Sequence, residues 1–343
     1  MHKIIKQFKS VALILLALII SILATEANAD MRSLLKRHPF NGAFIIAQHG
    51  KVLFRQGSPS LAYQIGSITK MFTAACILKL QEQGRLHIQD PLSKYIDFPS
   101  GNKITLEDLL SHTSGVPDYL IEMAVSRELA NYYQSYHSKE DLLSLFNNRP
   151  LQFTPGSQFR YSNANYILLG LVIEKVSGMK YEDFVTRTIL LPAKMLHTGV
   201  STNPRHALVA EPKIFEKELR GKIIDLSNYS SAGGIVSTVD DMYAFASSLI
   251  SGKIISQQSM AEMVRERKSG SGYGLGWTGY AQGNRYVGGH GGRTFGYSAF
   301  LDIDTFSGTI IVALSNDPST DIDRLRKNIK NILDTATLGG GNF

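Results

Sequence analysis

The chain of 343 residues has one cysteine, Cys76, so no internal disulfide can form. No Cys/His spacing suits a structural metal, and neither a metal nor an organic cofactor is implied. Long Lys/Arg runs and basic stripes with interleaved aromatics are missing, which argues against nucleic acid as a partner. There is no internal repeat and no low-complexity linker. The longest apolar run, "VALILLALIISIL", is short for a membrane span.

That run has a recognisable setting. Lys3, Lys6 and Lys9 precede it, and Ala27-Asn28-Ala29 follows. Basic, apolar, then small residues is the layout of a secretory signal peptide cut after Ala29. Residues 1–29 are therefore set apart from the fold, and a periplasmic or secreted location is expected. An uncleaved segment would instead anchor the chain to the membrane. The whole chain carries a formal charge of +7; the three lysines and one glutamate of the excluded segment lower this to +5. Such a mild surplus is compatible with loose association with an anionic cell envelope. Hydrophobic residues make up 43% and charged residues 19%, enough apolar content for a large core.

Strands and helices can be placed from pattern. "GAFIIAQHGKVLFRQG" (42–57) reads as a hairpin turning at His49-Gly50. Residues 69–83 read as a helix stopped by Gly84, with Cys76 a buried structural thiol within it. From about 85 to 225 the pattern is mostly helical: a capped "TLEDLLSHTSG", a long "NANYILLGLVIEKVSG" ending at Gly178, and "KYEDFVTRTILLPAKM" stopped near Pro192. Ser237-Thr238 reads as the cap of a further helix. From 273 the chain turns β-like through "YGLGWTGY", "NRYVGGHGG", "YSAFLDID" and "GTIIVALSN", and "DIDRLRKNIKNILDTA" closes it as an amphipathic helix. The simplest packing is α+β. One antiparallel sheet joins the N-terminal hairpin to the C-terminal strands, helices flank it, and a mostly helical part is inserted between. That gives a sheet part at about 40–66 and 225–335, and a helical part at about 67–224.

Three stretches carry chemistry. In "GSITK", Ser67 and Lys70 stand three apart and can share a helix face. A serine hydroxyl needs a neighbouring base, and a lysine serves if burial lowers its pKa. Alone, the pair is as readily a helix cap followed by a surface lysine. In "FRYSNANY", Tyr161 could move a proton and Asn163 could bind a substrate amide; alone, this too is a helix cap. In "GGHGGRTFGYSAFLDID", glycines around His290 let backbone approach a ligand closely. Here the plain alternative is an exposed histidine in a hairpin turn.

The three stretches occur in this order, and together they resemble the serine β-lactamase and penicillin-binding-protein superfamily, whose first motif is Ser-x-x-Lys. They look most like its class C-type branch, with Tyr-x-Asn as second motif and His-x-Gly as third. "LLSHTSGVPDY", "FTPGSQFRYSNANYILLG" and "SAGGIVSTVDDM" are similar to that branch as well, so the likeness covers about residues 40 to 315.

The resemblance implies Ser67 as acylated nucleophile, Lys70 as its base and Tyr161 as proton shuttle. Asn163 would bind the substrate amide, and His290 would orient Tyr161 or the substrate. Gly292 would belong to the binding strand, with the backbone N–H groups of Ser67 and Arg293 as the oxyanion hole. His112, in "LLSHTSG", reads as a framework residue. The third motif has histidine where true β-lactamases of this branch have lysine, which weakens the case for penicillin hydrolysis; the Arg293 side chain could take a carboxylate instead. The expected activity is hydrolysis through an acyl-enzyme of an ester or a D-amino-acid amide or peptide, on a small molecule or peptidoglycan fragment. A β-lactamase proper and a weakly active penicillin-binding or sensing module are the alternatives.

Overall fold

The computed structural model describes residues 33, 40–120, 134–200, 208–212, 225–317 and 319–338. The expected signal segment, 1–29, lies outside them. Among the described residues no helix is long and apolar enough to cross a membrane. The chain divides into two compact units. One is Gly42–Pro318, and the other comprises Met1–Asn41 and Ser319–Phe343. The second unit contains the expected closing helix, Ile322–Leu338.

The larger unit begins with the expected hairpin, β1 (Gly42–Gln48) and β2 (Lys51–Gln56). His49 and Gly50 both have positive φ, 49° and 77°, as a two-residue turn between right-twisted strands requires. A short strand, β3 (Leu61–Gln64), leads through a 3₁₀ turn, Gly66–Ile68, into α1 (Thr69–Glu82). Helix α1 is buried on nearly every side, from Thr69 to Leu80, so it runs through the core rather than over it. Cys76 lies buried there, as expected, and burial pushes its thiol pKa up.

Next come α2 (Leu106–Leu110), α3 (Lys139–Ser144) and α4 (Asn163–Ser177). Thr105 and Ser138 start the first two with reciprocal capping boxes to Asp108 and Asp141. Gly178 ends α4 in the left-handed conformation. Helix α5 (Tyr181–Val185) opens a helical run that stops near Pro192, as expected. It continues through a π-helical turn, Thr186–Leu190, and a last turn, Leu191–Ala193, and ends at Lys194 with φ 60°. Pro192 offers no N–H to the preceding turn, and the helix ends within two residues of it.

Four short strands form a small sheet in the order β4 (Gly199–Val200), β6 (Ile235–Ser237), β3, β5 (Leu208–Val209). Two of its strands, β4 and β5, fall in the part expected to be mostly helical, since strands of two residues show no periodicity. Thr238 caps α6 (Val239–Ile250), and α7 (Gln257–Val264) follows.

The expected large sheet forms from β7 (Thr278–Gln282), β8 (Arg285–Thr294), β9 (Tyr297–Asp304) and β10 (Thr309–Ser315) with the first hairpin, in the order β2-β1-β10-β9-β8-β7. The closing pair β1/β10 is antiparallel, from Gly42 opposite Ser315 to Gln48 opposite Thr309. Residues 273–277, expected as strand, are instead a tight loop. Gly276 takes φ 65°, and Gly274 N–H bonds Trp277 O at 2.8 Å. One face of the sheet, with Ile45, Leu301 and Val312, shares a continuous core with α1 and α4.

Candidate active site

The site forms where α1 begins. Gly66, at φ 52°, turns the chain so that Ser67 lies in the 3₁₀ turn and Lys70 one turn on, in the α-helix. Ser67 is half-buried and Lys70 wholly buried. Lys70 Nζ reaches three oxygens: Ser67 Oγ at 3.0 Å, Asn163 Oδ1 at 2.8 Å and Ala232 O at 2.7 Å. Asn163 comes from the first residue of α4, and Ala232 from the turn Ser230–Gly233 ahead of β6.

Burial pulls the Lys70 pKa down to about 7, and the charge of Asp118 opposes that shift. Part of the population is then a neutral amine at neutral pH. The Ala232 carbonyl can only accept, and Asn163 presents its oxygen because its Nδ2 donates to Asp118 Oδ2 at 2.9 Å. A neutral amine has two N–H bonds and one lone pair. Those two acceptors take the N–H bonds, so the lone pair faces the Ser67 hydroxyl.

Tyr161 Oη lies 2.8 Å from Ser67 Oγ on the other side. Burial, the largest influence, pushes its phenol pKa well up, so the ring keeps its proton. Lys70 Nζ also stands 4.9 Å from the centre of that ring. One hydroxyl thus lies between an amine inclined to take a proton and a phenol able to give one.

Strand β8 supplies the third wall. A Cβ on Gly292 would fall 1.9 Å from Ile65 O and 3.2 Å from Ser67 N, and one on Gly66 would fall 2.7 Å from Arg293 N. The backbones of 65–67 and 292–293 are therefore in contact, and glycine is what permits it. This brings the amide nitrogens of Ser67 and Arg293 onto facing segments. The Arg293 side chain is exposed. His290 is 5% exposed, and its Nε2 lies 3.0 Å from Tyr273 Oη. Tyr161 was the protein partner expected for it; its ring centre lies 6.4 Å away.

All seven expected site residues thus gather around Ser67. His112 is buried beneath them, its ring centre 4.2 Å from that of Tyr161. Its Nδ1 accepts from Ser162 N–H at 3.2 Å and faces Asn165 Nδ2 at 3.1 Å, which agrees with a framework role. Two further residues were not anticipated. Asp118 closes "HTSGVPD", and Tyr273 opens "YGLGW"; each stretch drew notice for its pattern, but neither residue had spacing to tie it to the serine. Among the described residues no cluster could hold a metal ion.

A family model described as Beta-lactamase matches residues 27–334. The chain belongs to the β-lactamase family. Within it, PbpX of Bacillus subtilis is 30% identical over 307 residues, covering 85% of this chain and 74% of that protein. A penicillin-binding protein from Bacillus halodurans superposes with a TM-score of 0.75 at 25% identity, covering 89% of this chain and 98% of its own. A D-stereospecific amidohydrolase from Streptomyces sp. gives 0.72 at 25% identity, covering 88% and 96%. The sheet and helices have the β-lactamase/transpeptidase fold, and the protein is a serine hydrolase of that fold.

Proposed function

We propose that this β-lactamase-family protein is an exported acyl-transfer hydrolase that cleaves a D-amino-acid amide or peptide, with simple esters as a second class of substrate. The carrying observation is the aim of Lys70: its only lone pair faces the Ser67 hydroxyl, which Tyr161 contacts from the other side. Ser67 Oγ attacks the carbonyl carbon while its proton passes to Lys70 Nζ. The oxyanion lies against the amides of Ser67 and Arg293. Tyr161 gives its proton to the leaving nitrogen as the C–N bond breaks and takes one back from Lys70. Water then attacks the acyl-enzyme by the reverse route and frees the acid and Ser67.

The D-configured amide is favoured by the likeness to the D-stereospecific amidohydrolase of Streptomyces sp.. A peptidoglycan fragment is favoured by the penicillin-binding relative and by the signal-like segment 1–29. His290 in place of a lysine disfavours the β-lactamase reading.

The test mixes residues 30–343, and a Ser67→Ala control, with a p-nitrophenyl ester and with matched D- and L-amino-acid amides. Product release and intact mass are followed together. Turnover or an acyl adduct that needs Ser67, with D preferred over L, supports the proposal. L preference or no adduct with any substrate refutes it.

A further inference from the structure

The histidine of "LLSHTSG" does more than fill the framework, because it holds the proton donor of the site. His112 follows α2 with φ 59°, a left-handed conformation that histidine tolerates better than most residues. Its carbonyl accepts from Arg160 N–H at 2.9 Å. Its Nδ1 accepts from Ser162 N–H at 3.2 Å. The backbone is thus held on both sides of Tyr161. The imidazole also stands against the phenol itself, 4.2 Å from centre to centre with 35° between the planes. One residue therefore grips Tyr161 before it, after it and across its ring. The hold continues into the helix that follows. Asn165 Nδ2 meets the same Nδ1 at 3.1 Å, and Ser114 Oγ fixes that amide by donating to Asn165 Oδ1 at 2.6 Å. Ser162, the residue before α4, makes no side-chain cap; His112 ties down the start of the helix at this point.

We propose that His112 is a positioning residue for Tyr161, and through it sets how well the enzyme expels a poor leaving group. The imidazole is itself braced from behind. Its Nε2 lies 3.2 Å from Tyr273 Oη, and Tyr273 begins a loop packed against α1, where a Cβ on Gly276 would meet Lys70 O at 2.7 Å. With the ring wholly buried between that loop and the phenol, Tyr161 has no room to swing back from Ser67, and its Oη stays 2.8 Å from Ser67 Oγ. The proton of that hydroxyl must reach the leaving nitrogen as the C–N bond breaks. A displacement of the phenol is therefore felt in the chemical step and not in substrate binding. A purely structural histidine predicts something else: lower stability, with activity lost on every substrate alike.

The assignment rests on the proposed hydrolase reading for its kinetics, but one arm of the test needs no turnover, so the two can fail separately. The variant is His112→Asn in the full protein. Asparagine tolerates the positive φ and can keep an acceptor near the place of Nδ1, so the loss is confined to the far half of the ring. In its crystal structure Tyr161 Oη should have left hydrogen-bond reach of Ser67 Oγ. On a D-amino-acid amide kcat should fall by about 10²-fold with KM unchanged, while a p-nitrophenyl ester, whose leaving group needs no proton, loses far less. In a Tyr161→Phe background the same substitution should cost nothing further on the amide, since the two residues act as one unit. The proposal is overturned by a Tyr161 that keeps its place beside Ser67, by equal losses on amide and ester, or by a full extra loss on top of Tyr161→Phe. If His112→Asn does not fold, His112→Gln takes its place; failure of both to fold also overturns the proposal, because His112 would then serve the fold at large. A parent protein that turns over neither substrate refutes the hydrolase reading and leaves the crystal structure to decide on His112.

Discussion

Lys70 Nζ stands 3.0 Å from Ser67 Oγ with no solvent around the amine. Burial is what makes this lysine usable as a base, because water no longer pays for its charge. Its pKa, held near 7, sets the pH dependence. Only the neutral amine can take the serine proton. kcat/KM should therefore rise with pH through about 7 and level off above. A pH–rate profile with a D-amino-acid amide measures this; a flat profile between about pH 5 and 9 would exclude Lys70 as the base.

Asp118 adjusts that midpoint by its charge. Its carboxylate accepts from Asn163 Nδ2, and its charge favours the ammonium form of Lys70. Asp118→Asn should move the rising limb of kcat/KM to lower pH, the opposite of what loss of a base would do. A limb that stays in place, or moves up, would show that the carboxylate does not act on Lys70.

The parts legible in the sequence are those with local causes. His49-Gly50 specifies its turn, Gly178 its helix end, and the apolar stretches 297–304 and 309–315, set off by Gly-containing turns, their paired strands. Ser67, Tyr161 and His290 were found because each sits in a short motif. Tyr273 and Asp118 have no such signature: they touch the site only because a glycine loop wedges against α1 and because α4 brings Asn163 to the end of "HTSGVPD". The small sheet escaped notice for a related reason. A two-residue strand such as Gly199–Val200 is defined by its neighbour, not by its own sequence.

Tyr161 should matter in proportion to the leaving group. Its pKa is raised by burial, so it is a poor base at rest but keeps a proton for the departing atom. Tyr161→Phe should lower kcat on an amide by about 10²–10⁴. An ester whose leaving group is nitrophenolate needs no such proton and should lose far less. Equal losses on both substrates would place the tyrosine's role in positioning Ser67 instead.

The contact between Gly292 and Ile65 joins β8 to the serine turn, and it can be tested apart from general stability. An added Cβ at 292 meets Ile65 O at 1.9 Å, so strand and turn must separate. Overpacking of this kind costs about 1–3 kcal/mol, and it moves the amide of Arg293 away from that of Ser67. Gly50→Ala is the matched control. It lies in the hairpin turn at φ 77° with nothing within 4 Å of the added atom, so it costs about 1–2 kcal/mol of backbone strain far from the serine. Both variants should lose comparable stability in a denaturant titration. Only Gly292→Ala should also lose kcat, by about 10²–10³ if one oxyanion donor is displaced. Equal activity in the two folded variants would mean that the Arg293 amide takes no part in holding the oxyanion.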